Sequence, residues 1–219
     1  SSQFQLDVYG EVMDASHQAR LAGLADGHES WELQKLLMDF LEGAWRQPDE
    51  GIWEVRGGRQ HFTHSKVMAW VAADRAALAV DRFGLDGPVD RWRALRDEIH
   101  RDVLEHGVRA DGALTQAYGG DTLDASLLMA PLVGFLPADD PRVRATVEAV
   151  EHELTHDGFV LRYRTEHTAD GLAGGEGAFL LCTFWLADCL ELLGRADDAR
   201  RIYERLLSLR NDVGLLSEE

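Results

Sequence analysis

The stretch "VMAWVAADRAALAV", residues 67–80, is apolar around most of a helix's circumference. Helices of that kind are packed on more than one side. Two more follow: "LDASLLMAPLV" at 123–133 and "AFLLCTFWLADCLELL" at 178–193. Between and around them lie helices with a single apolar stripe, which bury one face only. The stripes are Leu33, Leu36, Leu37, Phe40, Leu41, Ala44 and Trp45; then Trp92, Leu95, Ile99 and Val103; then Val143, Val147, Val150 and Leu154; and finally Ile202, Leu206 and Leu209. Periodicity predicts helices over about 6–22, 30–46, 64–83, 89–106, 123–134, 141–156, 177–194 and 196–210, and no convincing strand. The first helix is mixed but takes the place of a buried one in the series. Buried and one-faced helices therefore alternate, and the buried ones start roughly 55 residues apart, a weak period of helix pairs. An all-α fold follows, an α/α toroid in which inner helices line the middle and outer helices back them.

That architecture sends every outer-to-inner connection to the same end. Those connections are the unusual ones: "GIWEVRGGRQHFTHS" before the third helix, "DGALTQAYGGD" before the fifth, "DGFVLRYRTEHTADGLAGGEG" before the seventh and "NDVGLLSEE" after the eighth. Long loops with aromatic and charged residues on a rigid scaffold are where active sites are built. The expectation is one rim carrying Glu54, Tyr118, Arg162, Glu176 and Glu218.

Glu54 stands out because it sits between Trp53 and Val55, in a loop that also holds Ile52. A carboxyl group held against an aromatic wall has a raised pKa and can donate a proton near neutrality. The plainer alternative is a loop that packs its apolar residues and points Glu54 at water or at Arg56.

Composition narrows the partners. Of 219 residues, 45% are hydrophobic and 28% charged, and the formal net charge is −17. So acidic a chain is not expected to bind nucleic acid or an anionic membrane surface; a neutral polar substrate such as a sugar is compatible with it. "SSQFQLDVYG" lacks a basic n-region and an apolar h-region, so no signal peptide is read there. Without an initiator Met, the sequence is expected to be a processed or excised piece. Cys182 and Cys189, seven positions apart on one helix, would be roughly 10 Å apart along its axis, too far for a disulfide. They are expected to be buried thiols in a reducing, cytoplasmic compartment.

Three motifs imitate other chemistries. Residues 152–156, "HELTH", match the helix-borne zinc-protease signature. At ~100° per residue, however, His152 and His156 fall on the side of the helix away from its apolar stripe, and no third ligand is evident. "HFTH" offers His61 and His64 without a carboxylate or cysteine cluster, which suits contact with a polar ligand, or helix capping by Thr63 or Ser65, at least as well as metal. "GLAGGEG" lacks the spacing and the lysine of a phosphate loop. No metal and no cofactor are expected.

"VYGEVMDA", "GIWEVRGGRQHFTHSKVMAW", "DGFVLRYRTE", "GEGAFLLCTFWLAD" and "NDVGLLSEE" closely resemble bacterial members of glycoside hydrolase family 15, the glucoamylase-like enzymes, and in particular the actinobacterial branch that includes trehalases. The resemblance spans essentially the whole chain. It implies an (α/α)6 toroid, of which these eight helices would be part of twelve. An N-terminal β-sandwich, the first barrel helices and a closing helix would lie outside residues 1–219. It also implies hydrolysis of α-glucosidic bonds with inversion by two glutamates. Glu54 matches the general acid of the W-E motif, and Glu218 in "SEE" matches the general base, with Glu219 at the following position. Arg162 and Tyr163 match the pair that grips the nonreducing-end glucose, Trp53 a sugar platform, and Glu176 a substrate-contacting segment. Arg56, His64 and Tyr118 are further candidate sugar contacts. An inverting pair stands ~6.5–9.5 Å apart, because a water must fit between the second carboxylate and the sugar.

The expected partners are a small α-glucoside and the remaining segments of the same catalytic domain, without which residues 1–219 would be weak or inactive. Two other functions compete: a non-catalytic carbohydrate-binding or interaction domain on a degenerate toroid, and another toroid enzyme such as a sugar epimerase.

Overall fold

The computed structural model describes residues 3–24, 27–54, 57–164 and 178–218. It forms two compact units, Ser1–His106 and Gly107–Glu219.

The first unit holds α1 (Asp7–Leu21), α2 (His28–Ala44), α3 (Thr63–Phe83) and α4 (Val89–His106). α3 is the buried helix the sequence announces. Its run from Thr63 to Ala73 is enclosed throughout, and small Ala69, Ala72, Ala73, Ala76 and Ala77 let neighbouring helices come close. α1 lies along α3, and the approach is tightest at Gly10, where a Cβ would stand 2.8 Å from the carbonyl carbon of Met68 and closer still to its oxygen. Only glycine fits there. α4 buries Trp92, Leu95, Ile99 and Val103, the stripe expected of it.

Two expectations need correction in this unit. α2 buries Trp31, Gln34, Met38, Leu41, Ala44 and Trp45, while Leu33, Leu36 and Phe40 are exposed. α2 thus carries two apolar stripes, and the buried one is held by Trp31, which meets Trp92 edge to face at 5.8 Å and donates its indole N–H to Asp86 O at 2.9 Å. α1 buries a single stripe of Asp7, Gly10, Met13, His17 and Arg20, and leaves Val8 and Val12 exposed.

The second unit holds a 3₁₀ turn (Ala125–Leu128), α5 (Met129–Leu132), α6 (Pro141–Glu153), β1 (Thr155–His156), β2 (Phe159–Val160), α7 (Leu180–Leu192) and α8 (Ala196–Ser208). The continuous helix expected at 123–134 is broken. Asp124 accepts from the backbone N–H of Ser126 at 2.8 Å and from its hydroxyl at 2.6 Å, which favours a tight first turn. Pro131 then has no N–H to continue the ladder. α6 starts on Asp140, which accepts from Arg142 N at 2.9 Å with Pro141 in the first turn. It stops earlier than expected because Asp157 (φ 48°) and Gly158 (φ 78°) turn the chain into a two-residue hairpin pairing Thr155 with Val160. β1 and β2 are strands the periodicity did not announce. α7 buries Leu180, Cys182, Thr183, Leu186, Cys189 and Leu190, and α8 buries Ala199 and Leu206 but leaves Leu209 exposed. Both cysteines are free and buried. Burial pushes the Cys189 thiol up to about 12 and raises Cys182 further, so neither is a reactive thiolate.

Candidate active site

In the first unit the site is a loop with a clamped neck. Asp49 and Gln60 exchange both backbone hydrogen bonds at 2.9 Å, closing the loop at its base. The chain then turns at Gly51–Glu54, where Glu54 N–H donates to Gly51 O at 3.1 Å. Gly51 has φ 70° and lies on the Phe62 ring, which a Cβ would meet at 2.7 Å. Glu54 itself has φ 52°. A non-glycine residue in the left-handed region is strained by about 1–3 kcal/mol and persists only where its surroundings over-determine it. Glu54 is exposed and Trp53 half-buried, so the apolar enclosure expected around Glu54 is not supplied among the described residues. Val55 and Arg56 lie outside those residues.

The surroundings that hold the turn are buried and charged. Asp49 accepts from Leu6 N–H at 3.0 Å and from the Ser65 hydroxyl at 2.8 Å. Lys66 is 1% exposed, and its ammonium donates to Trp45 O at 2.5 Å and Gln47 O at 2.6 Å. Burial draws Lys66 down to about 8, against the opposing pull of Asp49 and Asp102, so it is a cation at neutral pH. On the outer side of the neck, Phe4 N–H donates to Glu50 at 2.7 Å and Gln5 Nε2 to Gly51 O at 3.2 Å. Arg59 pairs with Glu50 at 2.9 Å. Neither Thr63 nor Ser65 caps α3: the N-cap position is Phe62, and the Ser65 hydroxyl is committed to Asp49. His64 is 4% exposed, and neither ring nitrogen has a partner among the described residues. Burial pushes it down to about 4, so it is neutral.

Asp7, 5% exposed beside this cluster, is raised to about 6 by burial first and by the charge of Asp49 second. With a folded pKa above the unfolded value of 3.8, the folded chain binds more protons between about pH 4 and 6. Stability therefore falls as pH rises through that window and stays lower above it. Asp7→Asn is expected to melt as the native protein does near pH 4 and a few degrees higher above pH 7. The gain is about 1–3 kcal/mol, checked by thermal melts across that range.

In the second unit the candidates gather at the N-terminus of α7. Arg162 places its guanidinium over Phe179 at 5.9 Å. The next residue, Leu180, donates its N–H to Glu218 O at 3.0 Å, which ties the "SEE" segment to the same end of the helix. Arg162 O accepts from Ala125 N–H at 2.8 Å, and Tyr163, buried, forms a bridge with Asp124. Asp124 also accepts from Gln116 Nε2 at 3.0 Å, connecting the loop that carries half-buried Tyr118. Arg162, Tyr163, Tyr118 and exposed Glu218 are thus linked through Asp124 and Phe179. Glu176 and Glu219 lie outside the described residues.

The zinc imitation fails on geometry as well. His152 is exposed on α6 and His156 is exposed on β1 beyond the helix end, so the two do not share one helix face.

The profile of glycosyl hydrolases family 15 matches residues 1–218. The chain belongs to that family. A trehalase of Mycobacterium tuberculosis is 48% identical over 218 residues, covering 100% of this chain and 32% of that protein. A trehalase of Thermoplasma volcanium is 39% identical, covering 99% of this chain and 35% of its own length. The family 15 chain described here thus spans about a third of the length of these curated relatives. Among solved structures, a glycosidase in complex with glucose matches with a TM-score of 0.85 at 23% identity, over 99% of this chain and 57% of its own. A wild-type glycosidase matches equally well at 24% identity. These likenesses establish the fold, the all-α toroid of which this chain is an incomplete part.

Two features of this family 15 chain escaped the sequence. One is the buried group of Asp7, Asp49 and Lys66 beneath the Glu54 loop. The other is Asp124, which joins the Tyr118 and Tyr163 segments. Lys66 carried a signal, as a cation at the head of an almost wholly apolar helix. Such a residue must find acceptors inside the protein.

Proposed function

We propose that the protein carrying this chain hydrolyses an α-glucosidic bond with inversion, and that trehalose is its substrate. The observation that carries the proposal is Glu54, an exposed carboxyl group held in a left-handed turn whose neck is clamped from three sides. Trehalose is favoured by relatives named trehalase that are 48% and 39% identical across this chain.

In this proposal Glu54 protonates the glycosidic oxygen as the bond breaks. Glu218, through its place in "SEE", takes the proton of the attacking water. Protonation avoids expelling an alkoxide, and deprotonation strengthens the nucleophile as charge builds on the anomeric carbon. Arg162 and Tyr163 hold the glucose unit whose anomeric carbon is attacked, and Trp53 offers an apolar face to the C–H side of a sugar ring. Tyr118, Arg56 and Glu176 supply further hydroxyl contacts. His64, neutral and with neither ring nitrogen partnered among the described residues, is a further candidate for a hydroxyl contact.

The test is glucose release by the full-length protein from trehalose, maltose, isomaltose and maltotetraose. Fast release from trehalose, with the maltose series slower by about 10²-fold or more, is the expected result, since a buried hydroxyl-binding subsite discriminates at least that strongly. Faster release from the maltose series would replace trehalose as the substrate. Sugar binding without any turnover would remove the hydrolase.

A further inference from the structure

We propose that Lys66 is a positioning residue for Glu54, acting through the neck of the loop. The inference rests on Glu54 being the proton donor.

A lysine 1% exposed in an apolar helix is expensive to desolvate, and it is retained only with excellent partners. Its partners here are the carbonyl oxygens of Trp45 and Gln47, just past the end of α2. Helix C-termini leave carbonyls unpaired and carry partial negative charge, so one ammonium satisfies two acceptors where the chain leaves the helix. Two residues after Gln47 comes Asp49, fixed by the hydroxyl of Ser65, the residue beside Lys66. Asp49 pairs with Gln60 on the returning strand of the loop. Consecutive residues of α3 therefore hold the outgoing chain at Trp45, Gln47 and Asp49, and through Asp49 the incoming chain at Gln60. From Asp49 the path to the carboxyl group is short: Glu50 and Gly51 are stapled to Phe4 and Gln5, and the turn closes at Glu54.

Acid catalysis is sensitive to this because the donor must be within hydrogen-bond reach of the leaving oxygen. A displacement of about 1 Å can lower a rate ~10²-fold. A positioning role leaves a signature that a purely structural role does not. Loss of proton donation slows departure of a sugar alkoxide, which needs the proton, and spares departure of fluoride, which needs it far less. Loss of folded protein slows both equally.

The experiment measures kcat and KM of the full-length protein on trehalose and on α-glucosyl fluoride, for Lys66→Met, Lys66→Gln, Ser65→Ala and Glu54→Gln. Lys66→Met is expected to lower kcat on trehalose by about 10–100-fold while KM and the rate on α-glucosyl fluoride change by no more than about threefold. Ser65→Ala, which deletes one oxygen, is expected to shift the same ratio by about threefold or more, and Lys66→Gln, which keeps a donor for one carbonyl, decides the matter if Lys66→Met does not fold. Equal losses on the two substrates in the folded variants, or none, would overturn the positioning role while Glu54→Gln kept its substrate dependence. Equal losses in Glu54→Gln as well would remove the proton donor itself, and the inference with it.

Discussion

Glu54→Gln is expected to reduce trehalose turnover by the full-length protein by about 10²–10⁴-fold, the usual worth of a positioned general acid. The glutamine side chain has the same shape and accepts the same left-handed backbone, but its amide cannot deliver a proton to a departing oxygen. Glu54 is exposed, so replacing its carboxyl group should leave the fold untouched. Circular dichroism and the melting transition of the variant should match those of the native protein. The loss should therefore appear in kcat, with substrate affinity largely kept, as for an interaction made only in the transition state. Native turnover in Glu54→Gln would mean that the proton comes from elsewhere.

The second large effect concerns the scaffold. Gly10→Ala is expected to destabilise by about 3 kcal/mol, the upper end of overpacking. The added Cβ meets the carbonyl of Met68, and helix backbone cannot step aside as a flexible side chain would. α1 would have to lift from α3, which opens the contact that carries Met13 and Leu6, both fully buried. A fall of several degrees in the melting transition and faster proteolysis between α1 and α2 are the observables. Gly43→Ala, on the exposed side of α2 with no atom within 4 Å of the new Cβ, is the control. It should stabilise by up to about 1 kcal/mol, because alanine favours the helix. Destabilisation of similar size at both positions would show that the close crossing is not the cause.

Much of this was legible because helix periodicity is a local property. α3 and α4 and the single stripe of α6 are written in residues three and four apart. What failed was decided by distant contacts. The sequence of α2 offers two apolar stripes, and distant partners, Trp92 and Arg20 on the Trp31 ring and Asp86 on its indole N–H, choose Trp31 over Leu33 and Leu36. The helix expected at 123–134 lost to Asp124 and Pro131, a turn signal and a helix breaker that an apolar run concealed. The hairpin at 155–160 was written in "DG", which marked a helix end but also makes a two-residue turn.

The site divides in the same way. Glu54 drew notice as a lone carboxylate among apolar residues, and its left-handed backbone accords with strain being kept where function requires it. Asp7, Asp49, Ser65 and Lys66 meet across as many as 59 residues of chain, and no spacing rule brings them together. The expected wall around Glu54 is a different case: burial cannot be read from a flanking tryptophan, because Trp53 itself is only half-buried.

The most direct test of the proposed chemistry uses trehalose in ¹⁸O-water, with the glucose anomers resolved by NMR before they equilibrate. Trehalose joins two α-glucose units through one oxygen. Inversion releases one unit as α-glucose with its original oxygen and the other as β-glucose carrying the label, in equal amounts. That is the result predicted for Glu54 and Glu218 acting as acid and base. Label appearing in α-glucose, with no β-glucose formed first, would mean retention and would contradict the account.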